Sequence, residues 1–229
     1  MSWVSTLFTS SLGRKLVMAL TGLFLILFLL VHLTANLQLL RSDGGETFNL
    51  VSEFMGHNPV VQTVAWGLYL FIVMHTLLGI RLWLANRHAK GQKYLVQTKA
   101  NASFASKNMA ILGILIFAFL MIHMGDFWWK LQFTDEPYAL LQYAGMSHPI
   151  EDVYTGVVAS FKNPVVMICY LIGYLALGIH LWHGFQSAFQ TLGLNHMKYN
   201  GLIKFLGTAY AVLVPLGFAL ISIYIFLMQ

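Results

Sequence analysis

Cysteine and charge are both scarce in this sequence. A single cysteine, Cys169, stands among 229 residues, so the sequence excludes a disulfide framework and a CxxCH motif for covalent haem attachment. Charged residues make up 9% of the chain, against about 25% in soluble domains, whereas 58% of the residues are hydrophobic. The composition therefore predicts an integral membrane protein.

Long polar runs are also scarce, since apolar stretches fill most of the chain. Five stretches approach the roughly 20 residues that a membrane-spanning helix needs, at about 16–40, 60–86, 108–129, 164–190 and 202–228. The first is followed by further spans, so it is not a cleaved signal peptide. The mixed polar and amphipathic pattern of the 130–163 connection predicts short helices on the membrane surface. We therefore predict an all-α integral membrane protein, a single domain over residues 1–229 with five transmembrane helices.

Acidic residues are missing from one side of the predicted membrane. All eight lie on the other side: Asp43, Glu46, Glu53, Asp126, Asp135, Glu136, Glu151 and Asp152. Ten of the 13 basic residues lie on the acid-free side: Arg14, Lys15, Arg81, Arg87, Lys90, Lys93, Lys99, Lys107, Lys198 and Lys204. By the positive-inside rule, the N-terminus is cytoplasmic and the C-terminus is outside. The pI of about 9.3 then reflects topology, and nucleic acid is not an expected partner.

Histidine is the ionisable residue that the spans do contain. Five of the nine histidines lie within them: His32, His75, His123, His180 and His183. The other four lie in connections, where a solvated surface residue is the ordinary interpretation. A hydrogen bond to a neighbouring helix could explain one histidine in a span. Five histidines spread over four helices favour a functional site.

The spanning histidines fall at two depths. His32 and His123 lie eight and six residues from the outer ends of their spans, roughly 9–12 Å deep at 1.5 Å per residue. His75 and His180 each follow the proline of an NPVV stretch by 16 residues, roughly 24 Å. We call His32 and His123 the outer pair, and His75 and His180 the inner pair. Two histidines from separate helices suit axial ligation of haem iron, whereas zinc needs three or four ligands in one sphere.

Glycines lie where the neighbouring helices would cross the face of a porphyrin. Gly22 and Gly113 lie at the inner level, and Gly67 and Gly173 lie at the outer level. Membrane helices also use glycine for plain packing, and the chain has 19. The matched set therefore supports two haems, although a single glycine would not.

The sequence resembles a known family over nearly its whole length, from about Gly13 to the last helix. The stretches FLLVHLTANLQLL, FNLVSEFM, MHTLLGIRLWL, MAILGILIFAFLMIH and FKNPVVMICYLIGYLALGIHLWHGFQSAFQTLG carry the resemblance. They are similar to the five-helix, two-haem cytochrome b subunit of succinate dehydrogenases and fumarate reductases. One histidine ligand on each of the first four helices and none on the fifth is the family's pattern. The 130–163 connection is longer than that pattern, so nothing is transferred into it.

The resemblance implies a membrane-anchor subunit of a succinate:quinone oxidoreductase in the bacterial cytoplasmic membrane, with two haem b and a quinone, menaquinone above all. Electrons would pass between succinate or fumarate chemistry and the quinone, as part of a respiratory chain. The chain has no Rossmann glycine motif and one cysteine, so FAD and iron–sulfur clusters would belong to partners. The implied partners are a flavoprotein and an iron–sulfur subunit on the cytoplasmic side, in a complex that can dimerise.

Two further sets of residues are candidates. In the family an acid near the outer end of the second helix handles quinol protons. Here Glu53 and His57 are the titratable residues just before that span, although a solvated acid is an equally good interpretation. Cationic or hydroxyl groups bind haem propionates near the membrane surface. The candidates on the cytoplasmic side are Arg14, Arg81, Ser106, Lys107 and His183.

Two other functions remain open from the residues alone. One is a cytochrome b subunit of another quinone-linked enzyme, such as a formate dehydrogenase or a hydrogenase. The other is a transporter or proton channel with a histidine relay. Such a relay favours acids within the spans, where the sequence predicts none.

Overall fold

The computed structural model describes residues 7–89, 104–134 and 138–228. Five helices among these residues are long and apolar enough to cross a membrane, which confirms the predicted all-α class and the five spans. They run over Ser11–Leu40, Pro59–His88, Ala105–Phe133, Pro164–Thr191 and Met197–Met228. Lys90, Lys93, Lys99, Asp135 and Glu136, which entered the orientation argument, lie outside the described residues. The orientation stays a prediction.

The described helices and strands follow one another in a simple order. The helices are α1 (Ser11–Asn36), α2 (Glu46–His57), α3 (Pro59–Ala89), α4 (Phe104–His123), α5 (Trp129–Phe133), α6 (Val153–Phe161), α7 (Pro164–Thr191) and α8 (Met197–Met228). A 3₁₀ turn over Leu37–Leu40 extends α1, and a π-helical turn over Met124–Trp128 joins α4 to α5. Between α5 and α6, β1 (Leu140–Leu141) and β2 (Ile150–Glu151) pair antiparallel.

The two NPVV stretches act as helix starts. The Asn58 side chain accepts hydrogen bonds from the backbone N–H groups two and three residues later, at 3.0 and 3.2 Å. Asn163 does the same at 2.9 and 3.5 Å, and in both helices a proline follows directly. Asparagine at the N-cap and proline at the first position are a favoured helix start. Since both helices begin in the same way, His75 and His180 lie equally far along them.

The first four spanning helices form a bundle. Neighbouring helices in it are α1 with α3, α3 with α4, α4 with α7, and α7 with α1. Helices α1 and α4 therefore face each other across one diagonal, and α3 and α7 face each other across the other. Helix α8 packs along α7 and α1, outside the four.

Two hydrogen bonds of tyrosine hydroxyls join α8 to the bundle. The Tyr174 hydroxyl lies 3.0 Å from Oγ of Ser222, whose own exposed fraction is 1%. The Tyr210 hydroxyl donates to the backbone carbonyl of Ile26 on α1. Buried hydroxyls that find partners fix the position of a helix more specifically than apolar packing alone.

One end of the bundle is covered by α2, the β1–β2 hairpin and α6, which we call the cap. A short helix in the 130–163 connection is confirmed as α6, its position on the membrane surface stays a prediction, and the sequence does not predict the hairpin there. Helix α2 was not predicted either, because its 12 residues mix polar and apolar side chains within a connection. The cap packs its buried residues against the ends of α1, α7 and α8, where they join Leu39 of the 3₁₀ turn: Phe48, Val153, Tyr154, Val157 and Phe161.

Asn49 joins the parts of the cap. Its side-chain amide donates to the Tyr143 hydroxyl at 2.9 Å and to the Asp152 carboxylate at 3.0 Å, and its oxygen accepts from the backbone N–H of Tyr154 at 2.8 Å. Burial opposes ionisation of Asp152, but hydrogen bonds from Thr155 and Asn49 outweigh it and hold the pKa of Asp152 below its usual range. With an exposed fraction of 1%, Asn49 is a fully bonded buried polar residue.

Asp126 corrects the expectation that the spans contain no acid. It lies in the π-helical turn, inside the apolar helix Ala105–Phe133, and it is half-buried. The predicted span 108–129 already contains Asp126, although the charge distribution assigned it to the acids of the outer side. The helix continues to Phe133, so Asp126 lies about two turns before its end.

Candidate functional site

The outer pair meets across one diagonal of the bundle. The ring centroids of His32 on α1 and His123 on α4 lie 5.7 Å apart, with an interplanar angle of 81°. Aromatic rings surround both imidazoles: Phe28 and Phe218 lie beside His32, and Phe119, Phe127 and Tyr170 lie beside His123. Phe218 belongs to α8, so the helix without a histidine still forms part of this wall.

The inner pair meets across the other diagonal. The ring centroids of His75 on α3 and His180 on α7 lie 6.3 Å apart, with an interplanar angle of 66°. The structure therefore brings together the same two pairs that the depth count along the sequence groups. His183, one turn farther along α7, is half-buried and belongs to neither pair.

The two pairs lie at different levels of the bundle. A Cβ at Gly22 would lie 3.3 Å from Cε1 of His75, so the inner pair lies beside Gly22 on α1. His32 follows Gly22 by ten residues, which is about 15 Å along a helix. The bundle thus holds two separate sites, each with one imidazole from each of two opposite helices.

A hydroxyl fixes the orientation of one inner imidazole. Oγ1 of Thr21 lies 3.2 Å from Nδ1 of His75, and it also lies 2.8 Å from the backbone carbonyl oxygen of Val17. A threonine hydroxyl has one proton, so when it donates to that carbonyl it accepts from His75. Nδ1 of His75 then carries the ring proton, and the lone pair of Nε2 is available to bind a metal. Thr21 was not predicted; its signal was a hydroxyl beside Gly22 in an otherwise apolar stretch.

Two other imidazole nitrogens are buried without partners. Among the described residues, Nδ1 of His123 and Nδ1 of His180 have no hydrogen-bond partner. Nδ1 of His32 lies 3.5 Å from the Asn36 amide, at the limit of a hydrogen bond. A buried imidazole without partners is unfavourable by about 1–3 kcal/mol. His123 and His180 are therefore poorly explained as structural hydrogen-bonding residues.

The spacing of the rings fits a metal ion between them. An imidazole nitrogen lies about 2 Å from a transition metal that it binds, and the ring centroid lies about 1 Å farther away, so two imidazoles on opposite sides of one metal have centroids about 6 Å apart. The observed separations are 5.7 and 6.3 Å. Over the described ranges, no group of three or more histidine, cysteine, aspartate or glutamate residues could hold a metal ion, so a four-coordinate zinc site is not supported.

The four predicted glycines differ in their surroundings. A Cβ at Gly67 or Gly113 would meet no atom within 4 Å, so both positions are open. At Gly173 the expected open face is filled by the Phe119 ring, which would lie 2.5 Å from a Cβ there. A side chain from the neighbouring helix α4 lies in the space that the glycine leaves, and a role of Gly173 beside a porphyrin stays a prediction. Gly22 lies against His75, as described above.

The five candidate anion-binding residues lie toward the end of the bundle opposite the cap. Arg14 is half-buried, and its Nε is buried with no hydrogen-bond partner among the described residues. Arg81, Ser106 and Lys107 are exposed. A buried guanidinium nitrogen without a partner is the strongest of these candidates, since it lacks the hydrogen bond that an anion would accept.

Glu53 lies between two imidazoles at the capped end. Its Oε1 is 3.0 Å from Nδ1 of His57, four residues later, and 3.0 Å from Nε2 of His148 in the hairpin loop. Burial and the Glu53 carboxylate raise the pKa of nearby Glu151. The sequence predicts His148 as a solvated residue of the connection, because no pattern along the chain links it to Glu53. The side chain of Glu53 is 15% exposed, so it is not a freely solvated acid.

An apolar groove of about 360 Å³ lies between α1 and α2, beside this cluster. Its lining residues are Leu30, Val31, Thr34, Ala35, Gln38, Val51 and Met55. Glu53 is not among them, because it faces the hairpin while Val51 and Met55 face α1. The groove and the Glu53 cluster therefore lie on different faces of α2.

No protein-family model, curated protein or solved structure matches this chain.

Proposed function

We propose that this chain is the di-haem cytochrome b membrane anchor of a succinate:quinone oxidoreductase, a succinate dehydrogenase or quinol:fumarate reductase. The observation that supports it most is the meeting of two histidine pairs across the two diagonals of one apolar bundle, at two levels. Two imidazoles that face each other from opposite helices are the axial ligand pair of a b-type haem. The family resemblance supplies the choice of enzyme, and it is carried by the sequence stretches quoted above.

The residues have separate roles in this proposal. His32 and His123 hold the outer haem, and His75 and His180 hold the inner haem. When bound, haem iron between two imidazoles supplies one-electron transfer. Thr21 fixes the ring of His75, and Arg14 binds an anionic propionate at the inner end. The aromatic wall around the outer pair excludes water.

The remaining parts of the proposal concern the surroundings of the bundle. The chain lies in a bacterial cytoplasmic membrane with the cap outside. A flavoprotein and an iron–sulfur subunit bind the cytoplasmic end and contain FAD and the clusters. Electrons pass through the inner and outer haem sites between those subunits and a quinone. The family resemblance favours menaquinone as that quinone.

We expect Thr21→Val to weaken binding of the inner haem by about 10–100-fold, the usual effect of removing a second-shell partner of a metal ligand. Valine keeps the shape of threonine and removes the hydroxyl. Thr63→Val is the matched control, because Thr63 donates to the carbonyl of Pro59 on its own helix and contacts no paired histidine. Haem retention during dilution, followed by absorbance, measures the effect. Equal retention in the two variants would contradict the role of Thr21.

We expect Glu53→Gln to slow quinone-linked electron transfer by about 100-fold while both haems stay bound, because a positioned acid–base group contributes 10²–10⁴-fold. Glu46→Gln, on the same helix, is the control and keeps the wild-type rate. The measurement is quinol-dependent turnover with a soluble menaquinol analogue, alongside the haem spectrum. A Glu53→Gln rate within twofold of wild type would remove Glu53 and His57 from the quinone site.

The choice of enzyme is tested with the complex purified from its own membrane. The proposal expects two larger subunits to co-purify and succinate to reduce b-type haem in a reduced-minus-oxidised spectrum. Reduction by formate or hydrogen but not succinate would assign the chain to another quinone-linked enzyme. A complex without haem absorbance would reject a cytochrome altogether.

A further inference from the structure

The acid inside the third spanning helix has no role in the function proposed above. Asp126 follows His123 by three residues, and it lies in the π-helical turn directly after that histidine. Ionisable residues inside a membrane span are uncommon and usually functional. π-Helical turns also occur often at functional sites, where the wider turn changes the direction of a side chain.

Asp126 is held in place by a residue of the aromatic wall. The Tyr170 hydroxyl on α7 donates to Oδ2 of Asp126 at 3.2 Å. Tyr170 is 1% exposed, and its ring lies 6.1 Å from the ring of His123 between centroids. One side chain therefore contacts both the outer imidazole and the carboxylate, which fixes the charge beside the outer pair.

Asp126 forms no ion pair within the described residues, and the basic residue nearest to it along the chain, Lys130, is exposed four residues later. Over the described residues, the ion pairs within 4.0 Å join Glu53 to His57 and His148, and none includes Asp126. As a carboxylate, this residue places a formal negative charge inside an apolar helix. Tyr138 is a polar neighbour of Asp126, and its buried hydroxyl has no hydrogen-bond partner among the described residues. Burial, Glu151 and Asp126 all raise the pKa of Tyr138.

Distance makes the effect of this charge local. Residues three apart on a helix have Cβ atoms about 5–6 Å apart, so the carboxylate lies within about 10 Å of the outer pair. The inner pair is about 15 Å farther along the bundle. The interaction energy of two charges falls at least as fast as the reciprocal of their distance. The charge of Asp126 therefore acts more strongly on the outer site than on the inner site.

We propose that Asp126, positioned by Tyr170, is the residue that lowers the reduction potential of the outer haem relative to the inner haem. A fixed negative charge stabilises the oxidised, more positive state of the site and disfavours the added electron. This inference rests on the proposed function, because it needs haem at the outer pair. It assigns Asp126 and Tyr170 to the tuning of electron transfer, in addition to the four ligands.

The test is an optical redox titration of both haems in the purified complex at neutral pH. Asp126→Asn keeps the shape and the acceptor for Tyr170 but removes the charge. We expect the ratio of reduced to oxidised outer haem at a fixed potential to rise about tenfold, which is about 59 mV for one electron. The inner haem should change less than twofold. Glu151→Gln, which removes an equal charge outside the spans, is the control and should change either ratio less than twofold.

Several results would overturn the inference. An outer ratio in Asp126→Asn within twofold of wild type, with both haems bound, shows that the charge does not act on the outer site. Equal shifts of both haems show that it does not act locally. If Asp126→Asn fails to assemble, Asp126→Glu keeps the charge and should keep the wild-type ratio within twofold, and a tenfold change in it contradicts the account. If the wild-type complex contains no haem, the proposed function itself is rejected, and the role of Asp126 cannot hold.

Discussion

If the proposed function holds, we expect His180→Ala to lose the inner haem and to keep the outer haem bound. His180 and His75 face each other at 6.3 Å between ring centroids, and alanine supplies no ligand on the α7 side of the bundle. The outer pair lies on the other diagonal and about 15 Å away along the helices, so it keeps both imidazoles. The haem content should fall from about two to about one b haem per chain, measured as the pyridine haemochrome. The native reduced-minus-oxidised spectrum should lose one component.

His183→Ala is the matched control, three residues away on the same helix. His183 belongs to neither pair and is half-buried near the end of α7 opposite the cap, so this variant should retain both haems. The prediction fails if His183→Ala loses the inner haem while His180→Ala keeps it. It also fails if His180→Ala loses the outer component of the spectrum.

Replacing Asn49 by alanine separates the parts of the cap. The substitution removes three hydrogen bonds and leaves the backbone N–H of Tyr154 and the hydroxyl of Tyr143 without that partner. Unpaired buried polar groups cost about 1–3 kcal/mol each, and we expect the free energy of opening the cap to fall by about 3 kcal/mol. Hydrogen exchange at the Tyr154 amide measures that opening and should accelerate about 100-fold, at about 1.4 kcal/mol for each factor of ten.

Asn200→Ala provides the comparison, because Asn200 is exposed and pairs with Asn195 in a connection between helices. Surface substitutions change stability by less than about 0.5 kcal/mol. Exchange at Tyr154 in this variant should match wild type. An Asn49→Ala rate within threefold of wild type would show that Asn49 does not hold the cap closed.

The sequence was sufficient to predict the spans and the histidine pairs. Hydropathy identifies five helices because a membrane requires length and apolar composition, and both are readable along a chain. The helices that contain His75 and His180 both begin with the NPVV stretch, at Asn58 and Asn163. The number of residues from the helix start therefore gives the depth of each histidine in the bundle. Polar caps and first turns extended each helix beyond the predicted bounds, since hydropathy does not score them.

Features that depend on contacts between distant residues were not predicted. Thr21 becomes relevant only because α1 and α3 are neighbours, and Phe119 fills the space at Gly173 only because α4 packs on α7. Glu53 and His148 are far apart in the chain and meet through the fold of the cap. Asp126 falls inside the predicted span 108–129 but was counted with the acids of the outer side, and only the contact of its carboxylate with Tyr170 on α7 shows its place in the bundle.

Haem stoichiometry tests the central claim most directly. The purified chain, in its complex, is treated with alkaline pyridine and reduced, and the haemochrome is compared with the protein concentration. The account predicts about two b haems per chain by this assay, and two components in the native reduced-minus-oxidised spectrum that are lost singly in His180→Ala and His123→Ala. A colourless protein, or a single haem that both variants abolish, would contradict it.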